Sequence, residues 1–204
     1  SLERFVPATG RFMSFVMGLE MIQKISLIAI LYVIMLSPAI ATDEGGWVDR
    51  DGNPVPDSED MKSAGGFGGW LVVTPDADWE AEWNTPSEHV PNFKTVEEVR
   101  VGEVLAILPL FINPKLDSNG FARVHCDIRI VRPDQTISMD ETNLNCFTYK
   151  LTTDPRRVWL SALIPKYIGE PGDPKGKWFV ELVLRDMVRN ITIPLKTSFT
   201  LIDG

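Results

Sequence analysis

Residues 122–132 read ARVHCDIRIVR. Val124, Cys126, Ile128 and Ile130 take alternate positions, and His125, Asp127 and Arg129 fill the places between them. Successive side chains of a β-strand point to opposite faces, so this spacing predicts a strand with one buried and one wet face, Cys126 turned toward the core. A turn at residues 133–136, PDQT, follows and leads into a short strand at 137–139, a hairpin signal.

Working outward, the same texture fills most of the chain after Gly69. Residues 70–74, WLVVT, predict a first strand stopped by Pro75 and Asp76. Residues 103–112, EVLAILPLFI, are apolar on both faces, as expected of a central strand covered on each side, although Pro109 requires a bulge or an edge. Residues 147–151 and 158–164 supply further strands, and residues 95–99 a possible helical turn. After a Gly/Pro/Asp loop at 169–176, residues 177–186 and 191–201 form two alternating runs joined by a turn at 187–190. Pro194 again marks an edge or a bulge. Seven or eight strands in about 135 residues, with no long amphipathic helix, predict an all-β domain, an antiparallel sandwich in its simplest form and a closed barrel as the alternative.

The chain has 204 residues, 20 Lys plus Arg, 28 Asp plus Glu and a formal net charge of −8. That balance opposes a nucleic-acid backbone or an anionic lipid surface as the main partner. Two cysteines and two histidines leave few soft ligands, and no metal or cofactor site is expected.

Residues 25–36, ISLIAILYVIML, form an apolar run preceded by Lys24 and followed by SPAIA. As a helix the run spans about 18 Å, short of a ~30 Å hydrocarbon core, and Pro38 interrupts any extension. Ala39 and Ala41 occupy the small-residue positions of a signal-peptidase site, which makes Thr42 the first residue of the processed chain. The expected address is periplasmic or secreted, with membrane contact only through an uncleaved signal segment. Residues 1–20 are long for a signal's leading region and carry both Glu3 and Glu20, so they read as upstream frame, with Met13, Met17 or Met21 as the start. Export places Cys126 and Cys146 in an oxidising compartment, where a disulfide closing a loop of about 21 residues is the expected state and two separate buried thiols the alternative.

Three organisational units follow: residues 1–41 as extension plus signal, 42–69 as a flexible acidic leader rich in Gly and Pro, and 70–204 as the β domain. In the leader, Asp49, Asp51, Asn53, Asp57 and Glu59 imitate a calcium loop, but Gly52 stands fourth from Asp49 where an EF-hand turn needs Gly sixth. The run of glycines at 65, 66, 68 and 69 has no lysine or helix after it and reads as a linker.

No G-x-S-x-G elbow, Walker loop or dinucleotide fingerprint occurs, and His89 and His125 read as surface histidines. Catalysis is not expected. Asn190-Ile191-Thr192 fits a glycosylation pattern by chance composition. One segment suggests recognition. In residues 76–84, DADWEAEWN, an extended backbone places Asp78, Glu80 and Glu82 on one face and Trp79, Ala81 and Trp83 on the other. Trp79 and Trp83 could stack on a sugar with Glu80 and Glu82 as acceptors, or pack inward as the apolar side of an edge strand.

Residues 176–186, GKWFVELVLRD, then a short turn and a strand closing on TSFTL at 197–201, resemble the last hairpin of bacterial immunoglobulin-like domains. Residues 132–135, RPDQ, resemble their PDG turn, with Gln135 in place of Gly. The resemblance covers roughly residues 95–202. It implies an immunoglobulin-like β-sandwich that binds or scaffolds and brings no catalytic residues. The expected partner is an envelope or extracellular protein, reached through strand edges or end loops, with carbohydrate bound at the tryptophans as the alternative.

Overall fold

The computed structural model describes residues 46–49, 51–84 and 93–204. The features at Ala39, Ala41 and Thr42, the apolar run before them and His89 lie outside the described residues. Ten strands occur among the described residues: β1 (Met61–Ala64), β2 (Phe67–Thr74), β3 (Glu98–Arg100), β4 (Val104–Ile112), β5 (Phe121–Val131), β6 (Ile137–Lys150), β7 (Val158–Leu160), β8 (Lys166–Ile168), β9 (Gly176–Asp186) and β10 (Ile191–Ile202). A single-turn helix, α1 (Trp79–Trp83), follows β2.

The strands form two sheets. One runs β1-β2-β4-β7, with β8 also paired to β4, and the other runs β3-β10-β9-β5-β6. Every ladder is antiparallel except β3 on β10, which is parallel. The alternation of residues 122–132 is realised in β5: Val124, Cys126, Ile128 and Ile130 are buried while Arg123 and Arg129 are exposed.

Their inner faces share one core. Leu71, Val73, Leu105, Ile107 and Phe111 from the first sheet meet Val124, Ile128, Trp178, Leu182, Leu184 and Phe199 from the second. Each large side chain moved out of water contributes about 2–3 kcal/mol, which sets the register of every strand that alternates. Gly69 permits the close approach of the layers. A Cβ there would lie 2.9 Å from Leu184 Cδ1 and 3.1 Å from Leu195 Cδ1.

The first sheet is covered on its other face as well. Val72, Ala106, Leu108 and Leu110 pack there against Trp79 of α1 and Phe93, flanked by Trp70, Trp83, Leu160 and Ile164. This second cluster explains why residues 103–112 are apolar on both faces. Pro109 fits because of what lies beside it. β7 pairs with residues 110–112 and β8 with residues 104–106, so the neighbouring strand is interrupted between them. The Pro109 carbonyl accepts Ser161 N at 2.9 Å on that side, so the nitrogen without a hydrogen also faces the interruption. Pro194 lies where β10 has only β9 as a ladder partner, its parallel pairing with β3 beginning at Thr200.

Several expectations need correction. Ten strands occur among the described residues, where seven or eight were expected. The boundary of the leader at residue 69 falls inside β2, because β1 and β2 pair as a hairpin from Met61 onward. The glycine run is that hairpin's turn and first strand positions: Gly65 and Gly66 adopt φ of 51° and 82°, a region that only glycine enters at no cost, and Gly68 and Gly69 are buried. Residues 137–139 and 147–150 belong to one strand, β6, whose polar middle shows no alternation because most of it is exposed on both faces. The strand expected at 158–164 stops at Leu160, and residues 98–100 within or next to the expected helical turn form β3.

Asp186, at the end of β9, is wholly buried. Its carboxylate accepts Lys115 N at 2.7 Å, Val188 N at 3.0 Å and Arg189 N at 2.9 Å, so one side chain closes the β9–β10 turn and holds the chain that leaves β4.

Candidate functional site

Trp79 and Trp83 do not lie on an extended strand. Residues 79–83 form α1, and positions i and i+4 of a helix share a face, so both indoles turn toward the outer cluster of the first sheet. Trp79 is 7% exposed and offers no ring face for a sugar to stack on. Glu80 and Glu82 are exposed, on the other side of the same turn. The alternation of acids and tryptophans suggests a strand, but a helical turn equally places both indoles on one side, Trp79 buried and Trp83 half-buried.

The imitation calcium loop is consumed from within. Asp49 accepts Asp51 N, Asn53 N and Asn53 Nδ2 at 2.8 to 3.3 Å. These bonds, that from the Asn53 side chain foremost, hold its carboxyl below the ordinary Asp value. Among the described residues no group of three or more His, Cys, Asp or Glu side chains is placed to hold a metal ion. His125 is half-buried, with Nδ1 2.9 Å from Asn143 Oδ1.

Cys126 and Cys146 are brought to disulfide distance, with Cα atoms 5.9 Å apart. They lie on neighbouring strands of one sheet, β5 and β6, on its buried side. The pair therefore ties β6 to its own sheet.

β6 is the unusual element among the described strands. Edges of sheets are commonly blunted by shortness, lysine, proline or cover. The edges formed by β1, β3, β7 and β8 are four, three, three and three residues long, whereas β6 runs for fourteen and pairs only with β5. Residues 137–149, ISMDETNLNCFTY, contain no Pro, Lys or Arg. Part of the edge is nonetheless occupied. Arg132 Nη1 donates to the Ile137 carbonyl at 2.7 Å, and Ala162 N donates to the Cys146 carbonyl at 2.8 Å. The open stretch is residues 138–145.

Its geometry is fixed from the inner strand. The β5–β6 register shifts across Asp127, leaving residues 142 and 143 as a bulge, with Asn143 at φ 55°. Asn143 N donates to Asp127 Oδ1 at 2.7 Å. Asp127 in turn pairs with Arg185 through two hydrogen bonds, one of them at 2.8 Å. Arg185 foremost, against the opposing cost of desolvation, lowers the Asp127 pKa, so the carboxylate that supports the bulge stays charged. Arg129–Asp140 at 3.1 Å and Lys196–Glu181 at 3.0 Å extend the polar lattice over the same outer face.

Sequence reasoning gave no sign of a concavity at the end of β6. Phe147, Tyr149, Leu151 and Trp159, with Lys150, Thr152 and Thr153, line an open groove of about 390 Å³. The Phe147 ring packs 4.8 Å from Tyr149 and 5.7 Å from Trp159 between centroids, and Tyr149 is 54% exposed. No periodicity links residues 147–151 to Trp159; the pairing of β7 with β4 brings them together. Among the described residues no helix is long and apolar enough to cross a membrane.

No family model matches the chain, and no curated protein matches it. Among solved structures it is similar to a Niemann-Pick type C2 protein from Japanese carpenter ant, at 10% identity and TM-score 0.35, covering 70% of this chain and 91% of that one. A CARDB domain from Pyrococcus furiosus, in complex with di-metal ions, gives 11% identity and TM-score 0.33 over 66% and 89%. A family 123 glycoside hydrolase from Clostridium perfringens gives 8% and 0.37 over 67% of this chain, which spans 28% of that enzyme's length. Likenesses of this size carry no argument about function.

Proposed function

We propose that this chain is an exported, non-catalytic binding module of the immunoglobulin-like β-sandwich class, and that it recognises a protein partner through the open edge of β6. One observation carries the reading: a fourteen-residue edge strand without proline or internal lysine, whereas β1, β3, β7 and β8 are at most four residues long and the one-sided stretch of β10, residues 191–199, contains Pro194 and Lys196. An edge of this kind offers main-chain donors and acceptors to an extended segment, which joins as a further strand. The two packed sheets and the terminal hairpin of β9 and β10 support the fold class. The signal-like residues 25–41 and the cysteine pair at disulfide distance support export.

The test compares the tagged protein with Thr142→Pro, a change confined to the exposed bulge, in affinity capture from the native envelope. Hydrogen exchange then follows the captured complex. The reading expects slowed exchange at backbone amides of residues 138–145 and loss of capture by Thr142→Pro, with unchanged far-ultraviolet dichroism. Partner binding that leaves those amides exchanging at their free rate would overturn it.

A further inference from the structure

We infer that the segment accepted by β6 is an extended stretch carrying lysine or arginine, an inference that rests on the edge reading above and names the chemistry of its ligand. A strand added to an edge brings its side chains about 4.5–5.5 Å from those directly opposite. On the open stretch, residues 138–145, the charged side chains are Asp140 and Glu141, both exposed, and no Lys or Arg accompanies them.

The ion pair at Asp140 does not extend to Glu141, which leaves the edge acidic. Arg129 stands on β5, one strand further in, and is bonded to Asp140 at 3.1 Å. Its guanidinium therefore offsets Asp140 at the edge, and the stronger attraction for a guest cation falls on Glu141, for which no ion pair occurs among the described residues. The two acids also occupy opposite faces: Asp140 pairs in register with Arg129 on the wet face, and Glu141 with the buried Ile128. A guest strand therefore meets a carboxylate whichever way its alternate side chains point. The net charge of −8 adds a longer-range attraction for cations, screened over about 8–10 Å at ordinary salt.

The same charges argue against a second copy as occupant. Two β6 strands paired about a two-fold axis would bring two Asp140 and two Glu141 side chains together with no basic residue from either open stretch, and like charges placed opposite each other destabilise a ladder.

The experiment titrates the whole protein with blocked peptides of alternating Lys and Val, Gln and Val, or Glu and Val. It reads backbone amide shifts of residues 138–145 together with affinity, at low and high salt. The Lys peptide should bind about fivefold more tightly than the Gln peptide, as expected for two weak cross-strand pairs, and the Glu peptide more weakly than either. High salt and the double variant Asp140→Asn, Glu141→Gln should each remove most of that difference. Equal binding of all three peptides at residues 138–145 overturns the charge preference and leaves the edge reading standing. Absence of shifts at those residues with every peptide overturns both. Concentration-dependent dimerisation with protected 138–145 amides assigns the edge to a second copy and overturns the basic guest.

Discussion

Asp186 Oδ2 lies 3.5 Å from Arg189 Nε, and the carboxylate in this pair is wholly buried. The guanidinium goes on to donate to the carbonyls of Gly65 at 2.6 Å and Asn113 at 3.2 Å. The β9–β10 turn of one sheet is thereby fastened to the β1–β2 turn and to the end of β4 in the other. Removing the carboxylate strands the Arg189 charge and three amides, which sets the scale of the loss. Asp186→Ala should cost about 3–5 kcal/mol in urea unfolding, and Asp186→Asn less, since an amide oxygen can still accept.

Acid should weaken the fold through depressed carboxylates. Asp127 is held low first by its bonds to Arg185, and Asp117 and Asp134 first by bonds from Phe121 N and the Thr136 side chain. A folded pKa below the unfolded value of about 3.9 gives stability that is present above that value and is lost as pH falls through the folded one. Unfolding free energy should therefore decline from about pH 4 downward. Asp127→Asn should cost about 1–2 kcal/mol at pH 7, and the gap from wild type should narrow toward pH 2 in denaturant titrations.

Reduction of the Cys126–Cys146 pair releases a loop with a sequence separation of 20. The loop-entropy relation gives about 3 kcal/mol. Thermal unfolding with and without reductant should differ accordingly, and the double serine variant should be insensitive to reductant.

Trp79→Ala empties the centre of the outer cluster on the first sheet and should lower stability by about 3–5 kcal/mol. Calorimetry checks the loss. A glycan array probed with the folded wild type should show no signal dependent on Trp79, because the indole is buried.

What could be read from residue order alone follows from periodicity. β5 and β9 alternate because one face is buried, and Cys126 was placed correctly by that rule. Residues 103–112 announced cover on two faces through their unbroken apolar run. β6 reads as two fragments in the sequence, since a strand exposed on both faces carries no hydrophobic period. The tryptophans at 79 and 83 misled because spacing by four satisfies a helix face while alternation over a few residues satisfies a strand. The glycines at 65–69 read as punctuation, but at 68 and 69 small size is a packing requirement set by Ile112, Leu184 and Leu195, residues distant in the chain. The open edge itself is a property of topology, visible only once β5 is known to have β9 on one side and β6 on the other.

The gap opposite Pro109 limits what the molecule can assemble into. Runaway stacking through a host body needs two recruiting rims, one to receive a neighbour and one to pass the array on. Here the rim beside β4 is split into two fragments of three residues, and the rim of the other layer opposite β6 is β3, also three, continued by a stretch of β10 that Pro194 interrupts. If β6 receives a guest strand as proposed, such a host has no second long rim to pass the array on, and its stoichiometry with the guest should stop at one to one.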